Sequence, residues 1–193
     1  SITNNFLEIC IYIFSYYKYN FKKSLRTLDS RRLVKAADAI MAAKNVVLFG
    51  QSSGYVSAMY AKQLLLRINI LSQTVKGNLD MNLAASTLTK GDVAIGIGYS
   101  GEIKSVIEAL NIVKHNHGTT IVITAKPNST MAKLADICLT YSYDIPDDLQ
   151  YLHLASMCEL AIIGALQAEL LRRPVQLEKI EACKKAVLAS RLK

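Results

Sequence analysis

The sequence predicts an α/β fold: a doubly wound, five-stranded parallel sheet flanked by helices, preceded by an N-terminal aromatic helical segment. Two observations carry this. Five short, continuously apolar runs alternate with longer stretches of helical periodicity, the pattern expected when crossover helices cover both faces of a parallel sheet. No linker or low-complexity tract divides residues 30–193. The chain therefore reads as an atypical aromatic and basic leader or helix over residues 1–28, followed by one domain over residues 29–193.

Each element has its own signal. Asp29-Ser30 reads as a helix cap, and Leu33, Val34, Ala37, Ile40 and Met41 recur behind it at helical spacing. The run NVVLFG (45–50) is a strand ending at Gly50; the turn QSSG and a helix over 55–69 follow it. A second strand, LSQTV (71–75), precedes a helix over 80–88 for which Asp80 is the expected cap. DVAIGIG (92–98) and TTIVIT (119–124) are the third and fourth strands, followed by a helix over 102–116 and a short helix near 129–134. ICLTY (137–141) is the fifth strand. Beyond the loop DIPDD (144–148), residues 149–172 form one long apolar helix, and Pro174 opens a last one.

Composition narrows the function. Hydrophobic residues make up 51% of the 193 and charged residues 20%, so the chain has the apolar content to build a core. The net charge of +8 sits at the ends: residues 36–171 hold 9 Lys and Arg against 11 Asp and Glu, while residues 1–35 and 172–193 each hold 7 against 2. A basic central surface that would follow nucleic-acid phosphates is not predicted. Cys10, Cys138, Cys158 and Cys183 are scattered, without a C-x-x-C pair or a histidine at ligand spacing. Neither a metal site nor a disulfide framework is expected, and the compartment implied is the reducing cytoplasm.

The segment FLEICIYIFSYYKY (6–19) is shorter than the ~20 residues a spanning helix needs and contains Glu8 and Lys18, so no membrane partner is expected. Seven of the 14 aromatics, Phe6, Tyr12, Phe14, Tyr16, Tyr17, Tyr19 and Phe21, lie in the first 21 residues. They are expected to pack on the domain or on a partner chain.

In open parallel sheets ligands bind outside the carboxyl ends of the strands. The loop after the first strand carries Gln51, Ser52, Ser53 and Gly54; the loop after the third carries Gly98, Tyr99, Ser100, Gly101 and Glu102; the loop after the fourth carries Lys126 to Thr130. The first two lead into helix N-termini, where free amides and the helix dipole favour an anion and serine hydroxyls add uncharged donors. The alternative is that these serines are simply helix caps. The first loop lacks the glycine spacing of a dinucleotide fingerprint and the G-K-[ST] of a P-loop. A phosphate held by hydroxyls and amides, without metal or cofactor, fits better.

The stretches FGQSSGYVSAMYAKQLLLRI (49–68), GDVAIGIGYSGEIKSVIEA (91–109) and ITAKPNSTMAKLADICL (123–139) resemble a sugar isomerase (SIS) domain, over about residues 29–190. Residues 78–86, 127–136 and 152–173 most resemble the sensor half of RpiR-type transcription regulators. The resemblance implies a flavodoxin-like sheet, a phosphosugar ligand, and DNA contact only through a helix-turn-helix domain absent from these residues. It also implies that Ser52, Ser53, Gly54, Ser100, Gly101, Glu102 and Ile103 form the ligand site, with His153 bordering it. Three positions depart from the family pattern: Gln51 replaces a glycine, Gly98 a serine and Ile103 a threonine.

The rival reading is a small aldose-ketose isomerase resembling 6-phospho-3-hexuloisomerases, with Glu102 and His153 as the candidate acid and base. His115 and His117 read as polar residues at a helix end. The helix over 149–172 is apolar on more than one face, which predicts a homodimer unless the helix over 30–43 or the aromatic segment covers it.

Overall fold

The strands are β1 (Val46–Gly50), β2 (Gln73–Thr74), β3 (Val93–Ile97), β4 (Thr119–Thr124) and β5 (Ile137–Thr140). All pair in parallel, in the order β2-β1-β3-β4-β5. The computed structural model describes residues 6–144 and 155–173, with residues 181, 184, 185 and 187–189 farther on. Every residue of β1 and β3 is buried, as the apolar runs require. β2 is shorter than the predicted 71–75: two residues pair with Val47 and Leu48, and Leu71 faces solvent. A short edge strand exposes few unpaired backbone groups to another chain.

The helices are α1 (Phe6–Thr27), α2 (Ser30–Ala42), α3 (Ser53–Arg67), α4 (Asn78–Thr87), α5 (Lys104–His115), α6 (Thr130–Leu134) and α7 (Ala155–Leu171). One core lies beneath α1, α2, α3 and α7 and takes Leu48, Ile95, Ile97, Ile121 and Ile123 from the sheet; the other lies beneath α4, α5 and α6 and takes Val47, Phe49, Ala94 and Val122. Alternate residues of each strand thus feed opposite layers. Asp29 caps α2 as predicted, its carboxylate accepting from the amides of Arg31 and Arg32. Asp80 does not cap α4. The helix begins at Asn78 behind Gly77, whose φ of 95° suits glycine, and Asp80 falls in the first turn, where its charge still suits the helix dipole.

The second layer over the long apolar helix comes from within the chain, because α7 packs against α1, α2 and α3. Residues 149–154 of the predicted helix, and Pro174 at the start of the last one, lie outside the described residues. The leader is a helix docked on the domain. Tyr16, Asn20 and Ser24 face inward. Ser24 Oγ accepts from the Ser142 amide and donates to the Ser142 carbonyl, and Asn20 accepts from the Asp144 amide and donates to the Asp144 carbonyl. Two side chains of a helix thereby satisfy the backbone after β5 much as a neighbouring strand would. Lys23 pairs with the Asp144 carboxylate. Five of the aromatics, Phe6, Tyr12, Phe14, Tyr19 and Phe21, remain exposed.

Candidate functional site

The chain runs from β1 out to β2 on one side and returns to β3 on the other, so the carboxyl ends of β1 and β3 flank a topological switch point. Gly50 is level with Ile97 there, which brings the first and second serine loops side by side. Gly54 sets their spacing: a Cβ at this position would stand 2.5 Å from the Ile97 carbonyl oxygen, so only a residue without a side chain lets α3 begin against β3. Ser52 occupies the N-cap position of α3 at φ 52°, ψ −121°, and its hydroxyl makes no capping bond. An L side chain rarely adopts that backbone conformation. The cap explanation therefore fails for Ser52. Ser53 and Gly54 lie in the first turn of α3, with the amides of Ser52 and Ser53 ahead of the first intrahelical bond.

The second loop is built differently. Gly101 takes φ 65°, and a Cβ there would come within 2.0 Å of Ser129 Oγ, so glycine is required for the turn to lie against α6. The Gly101 carbonyl accepts from the Met131 amide, and Glu102 Oε1 accepts from the Thr130 amide at 2.8 Å. Bonds from the Thr130 hydroxyl and amide, with Lys133 nearby, hold the Glu102 carboxyl below the usual range. The amides of Gly101 and Glu102 donate to the Gly98 carbonyl and to Ser100 Oγ. Glu102 thus lies ahead of α5 and serves the start of α6, whereas the sequence placed it in the first turn of a helix over 102–116. Ile103 is the N-cap of α5 without a side-chain capping bond. A Cβ built on Gly98 would meet Ile103 Cδ1 at 2.5 Å: the isoleucine methyl occupies the space a residue-98 side chain would need.

Three residues join these loops that sequence reasoning left out of the site. Gln51 Oε1 accepts from Ser105 Oγ at 3.0 Å, tying the first loop to the first turn of α5. Lys126, at the carboxyl end of β4, stands 5.3 Å above the Tyr99 ring and supplies positive charge beside the second loop. A lysine two residues beyond a strand was a legible signal; the Gln51 contact had none. Tyr99 packs edge-on against Tyr143, which packs edge-on against Tyr16 of α1. His153 lies outside the described residues. His115 ends α5 and His117 follows at φ 63°, away from both serine loops.

Below the first loop lies a buried carboxyl. Glu159 of α7 accepts from Ser57 Oγ at 2.6 Å and from Tyr141 OH at 2.9 Å. Burial pushes its titration up, and the two hydroxyls offset this in part. Ser57 is one helical turn beyond Ser53, so this cluster supports the floor of the loop. At the amino ends of the strands, Asn45, Gln73, Leu83 and Thr87 help line an open groove of about 410 Å³. Its lining is uncharged and mixes Asn45, Gln73 and Thr87 with apolar residues. Among the described residues no group of three or more His, Cys, Asp or Glu could hold a metal, and no helix is long and apolar enough to cross a membrane.

Comparison with known proteins agrees with this architecture. The family model described as the SIS domain matches residues 39–165. An uncharacterised HTH-type transcriptional regulator of Caldanaerobacter subterraneus is 35% identical over 130 residues, 67% of this chain and 46% of that protein. The chain spans about half the length of the curated relatives it matches. The sugar isomerase domain of an RpiR transcription factor from Sphaerobacter thermophilus superposes with a TM-score of 0.85 at 20% identity, covering 93% of this chain and 98% of that one. Vibrio vulnificus NanR, solved in complex with ManNAc-6P, gives 0.87 at 16% identity over 94% and 70%. At such identities these structures speak for the fold.

Proposed function

The chain belongs to the SIS domain family, and from that premise we propose that it is a phosphosugar-binding sensor of the kind carried by RpiR-type transcription regulators. The observation that carries this is the strained Ser52 at the N-terminus of α3, with its hydroxyl in no capping bond, beside the second loop at the switch point. Strain of this kind persists where the surroundings impose it, and it concentrates at binding sites. In this reading Ser52 and Ser53 give hydroxyl and amide donors to the phosphate, and Gly54 holds them in place. Ser100, Gly101, Glu102 and Ile103 form the opposite wall, His153 borders the sugar, and Lys126 adds positive charge. The names of the relatives, HTH-type regulators, and the phosphosugar in the NanR structure support the same reading.

Contact with DNA belongs, in this reading, to the half of such regulators that these residues do not span. Because α1, α2 and α3 cover α7, the homodimer we propose rests not on that helix but on the exposed apolar face of α1; the chain works in the cytoplasm, where Cys10, Cys138 and Cys158 stay free thiols. Burial pushes the Cys158 thiol up to about 11, which keeps it protonated and unreactive. An isomerase would need a base titrating near its working pH; Glu102 is held below the carboxylate range and is spent on α6.

Thermal shift tests the proposal against hexose phosphates, pentose phosphates, amino-sugar phosphates and their unphosphorylated parents. A ligand at 100 times its Kd adds about 2.7 kcal/mol, roughly 5–11 °C for a chain of this size. Phosphorylated members are expected to raise the Tm and the parents are not. No shift from any phosphosugar at millimolar concentration overturns the reading.

A further inference from the structure

Helix α1 carries two stripes. The inward one, Tyr16, Asn20 and Ser24, is buried against the domain. The outward one consists of Leu7, Ile11, Phe14, Lys18, Phe21 and Leu25, spaced alternately by four and three residues, and every member is exposed. A surface helix in a monomer needs one apolar stripe, for its own core. A second stripe at strict four-three spacing is the seam by which one helix packs against another.

We propose that α1 pairs antiparallel with α1 of a second copy of this chain through that seam. The inference rests on the homodimer reading above and assigns its surface. Charge decides the direction. In a parallel pair Lys18 would meet the partner's Lys18, and the acidic first turn at Glu8 would meet its own copy. Antiparallel, Leu7 meets the partner's Leu25, Ile11 meets the partner's Phe21, and the Lys18 stem lies over the partner's Phe14. Glu8 then approaches Lys22 and Arg26 at the basic end of the partner helix. Area permits it: at exposures of 64% for Leu7, 57% for Ile11, 74% for Phe14, 36% for Phe21 and 76% for Leu25, two copies expose about 1,200 Å² along the seam, so a pair that covers nearly all of it, with the flanking charged side chains, reaches the lower end of specific interfaces.

Sedimentation equilibrium of the full chain tests this, with melting curves to verify that each variant is folded. The wild type is expected at twice 21.3 kDa at micromolar concentration. Phe14→Glu, at a position exposed in the monomer, should raise the dissociation constant about 100-fold without lowering the Tm of the monomer. Val56→Glu, on the exposed face of α3, should leave pairing intact. Glu8→Lys should weaken pairing and Glu8→Lys with Lys22→Glu should restore it; failure of that rescue overturns the antiparallel sense. A dimer that survives Phe14→Glu and dissociates with Val56→Glu overturns the seam and leaves the homodimer standing. A wild type that stays monomeric overturns both.

Discussion

The two serine loops occupy equivalent places in the sheet and use their polar groups in opposite ways. The loop after β1 directs donors outward: a helix N-terminus, two hydroxyls and a strained Ser52 backbone. The loop after β3 directs acceptors inward, with the Gly101 carbonyl and the Glu102 carboxylate taking up amides of α6, while Ile103 fills the space above Gly98. A helix needs its first amides satisfied, and in this chain the second loop meets that need for α6. Sharing a topological position therefore does not by itself leave a loop's polar groups unengaged. What matters is whether the donors of a loop are left for a ligand.

The largest effect expected from this contrast is at Gly54. Gly54→Ala drives a Cβ into the Ile97 carbonyl, and a rigid backbone neighbour cannot yield, so a loss of about 3 kcal/mol is expected, seen as a Tm lower by roughly 6–12 °C. An unchanged Tm would mean that the loops are not wedged together.

Gly98→Ser alone should cost up to about 1 kcal/mol, because the Ile103 methyl it meets is the free end of a half-buried side chain that can turn aside. Combined with Ile103→Thr it should fold normally and bind phosphosugar about tenfold more tightly, through two regained hydroxyl donors. Additive effects in that double-mutant cycle would sink the steric coupling.

Ser52→Gly separates strain from binding. Relief of the backbone should stabilise the apo chain by about 1 kcal/mol, while loss of the hydroxyl weakens phosphosugar binding about tenfold. Titration calorimetry and a urea melt read the two together, and a destabilised Ser52→Gly would refute the strain.

The smallest effect concerns the floor of the first loop. Glu159 is raised above its ordinary value near 4.5. A raised carboxyl contributes fully to stability below its unfolded value, and that contribution is lost as the pH rises through its folded value. Wild type should therefore lose stability relative to Glu159→Gln as the pH climbs above 4.5, and urea melts at stepped pH would show parallel curves if the carboxyl stayed ionised throughout.

What was legible from the sequence is what short range determines. The runs at 45–50, 92–98 and 119–124 became strands because burial on both faces favours continuous apolar stretches, the buried Thr120 and Thr124 hydroxyls being hydrogen-bonded, and Asp29 capped α2 because its acceptor and donors lie within three residues. The serine loops were legible for the same reason. What escaped depends on side-chain reach between distant segments. Glu102 finds its partner 28 residues on, and Gln51 finds its own 54 residues away. Gly98 and Ile103 could each be recognised as a departure from the pattern, yet their compensation is a distance of 2.5 Å that no spacing rule encodes. Asp80 was misplaced because a glycine with positive φ started α4 two residues earlier.

The bonding of α1 to the backbone after β5 has a consequence for biosynthesis. Ser24 and Asn20 find their partners 118 and 124 residues downstream. At about 5–20 residues per second, α1 leaves the ribosome on the order of ten seconds before Ser142 and Asp144 are made. Throughout that interval Asn20 and Ser24 lack the backbone they bond, so α1, although made before the sheet, is fixed to the domain only after β5.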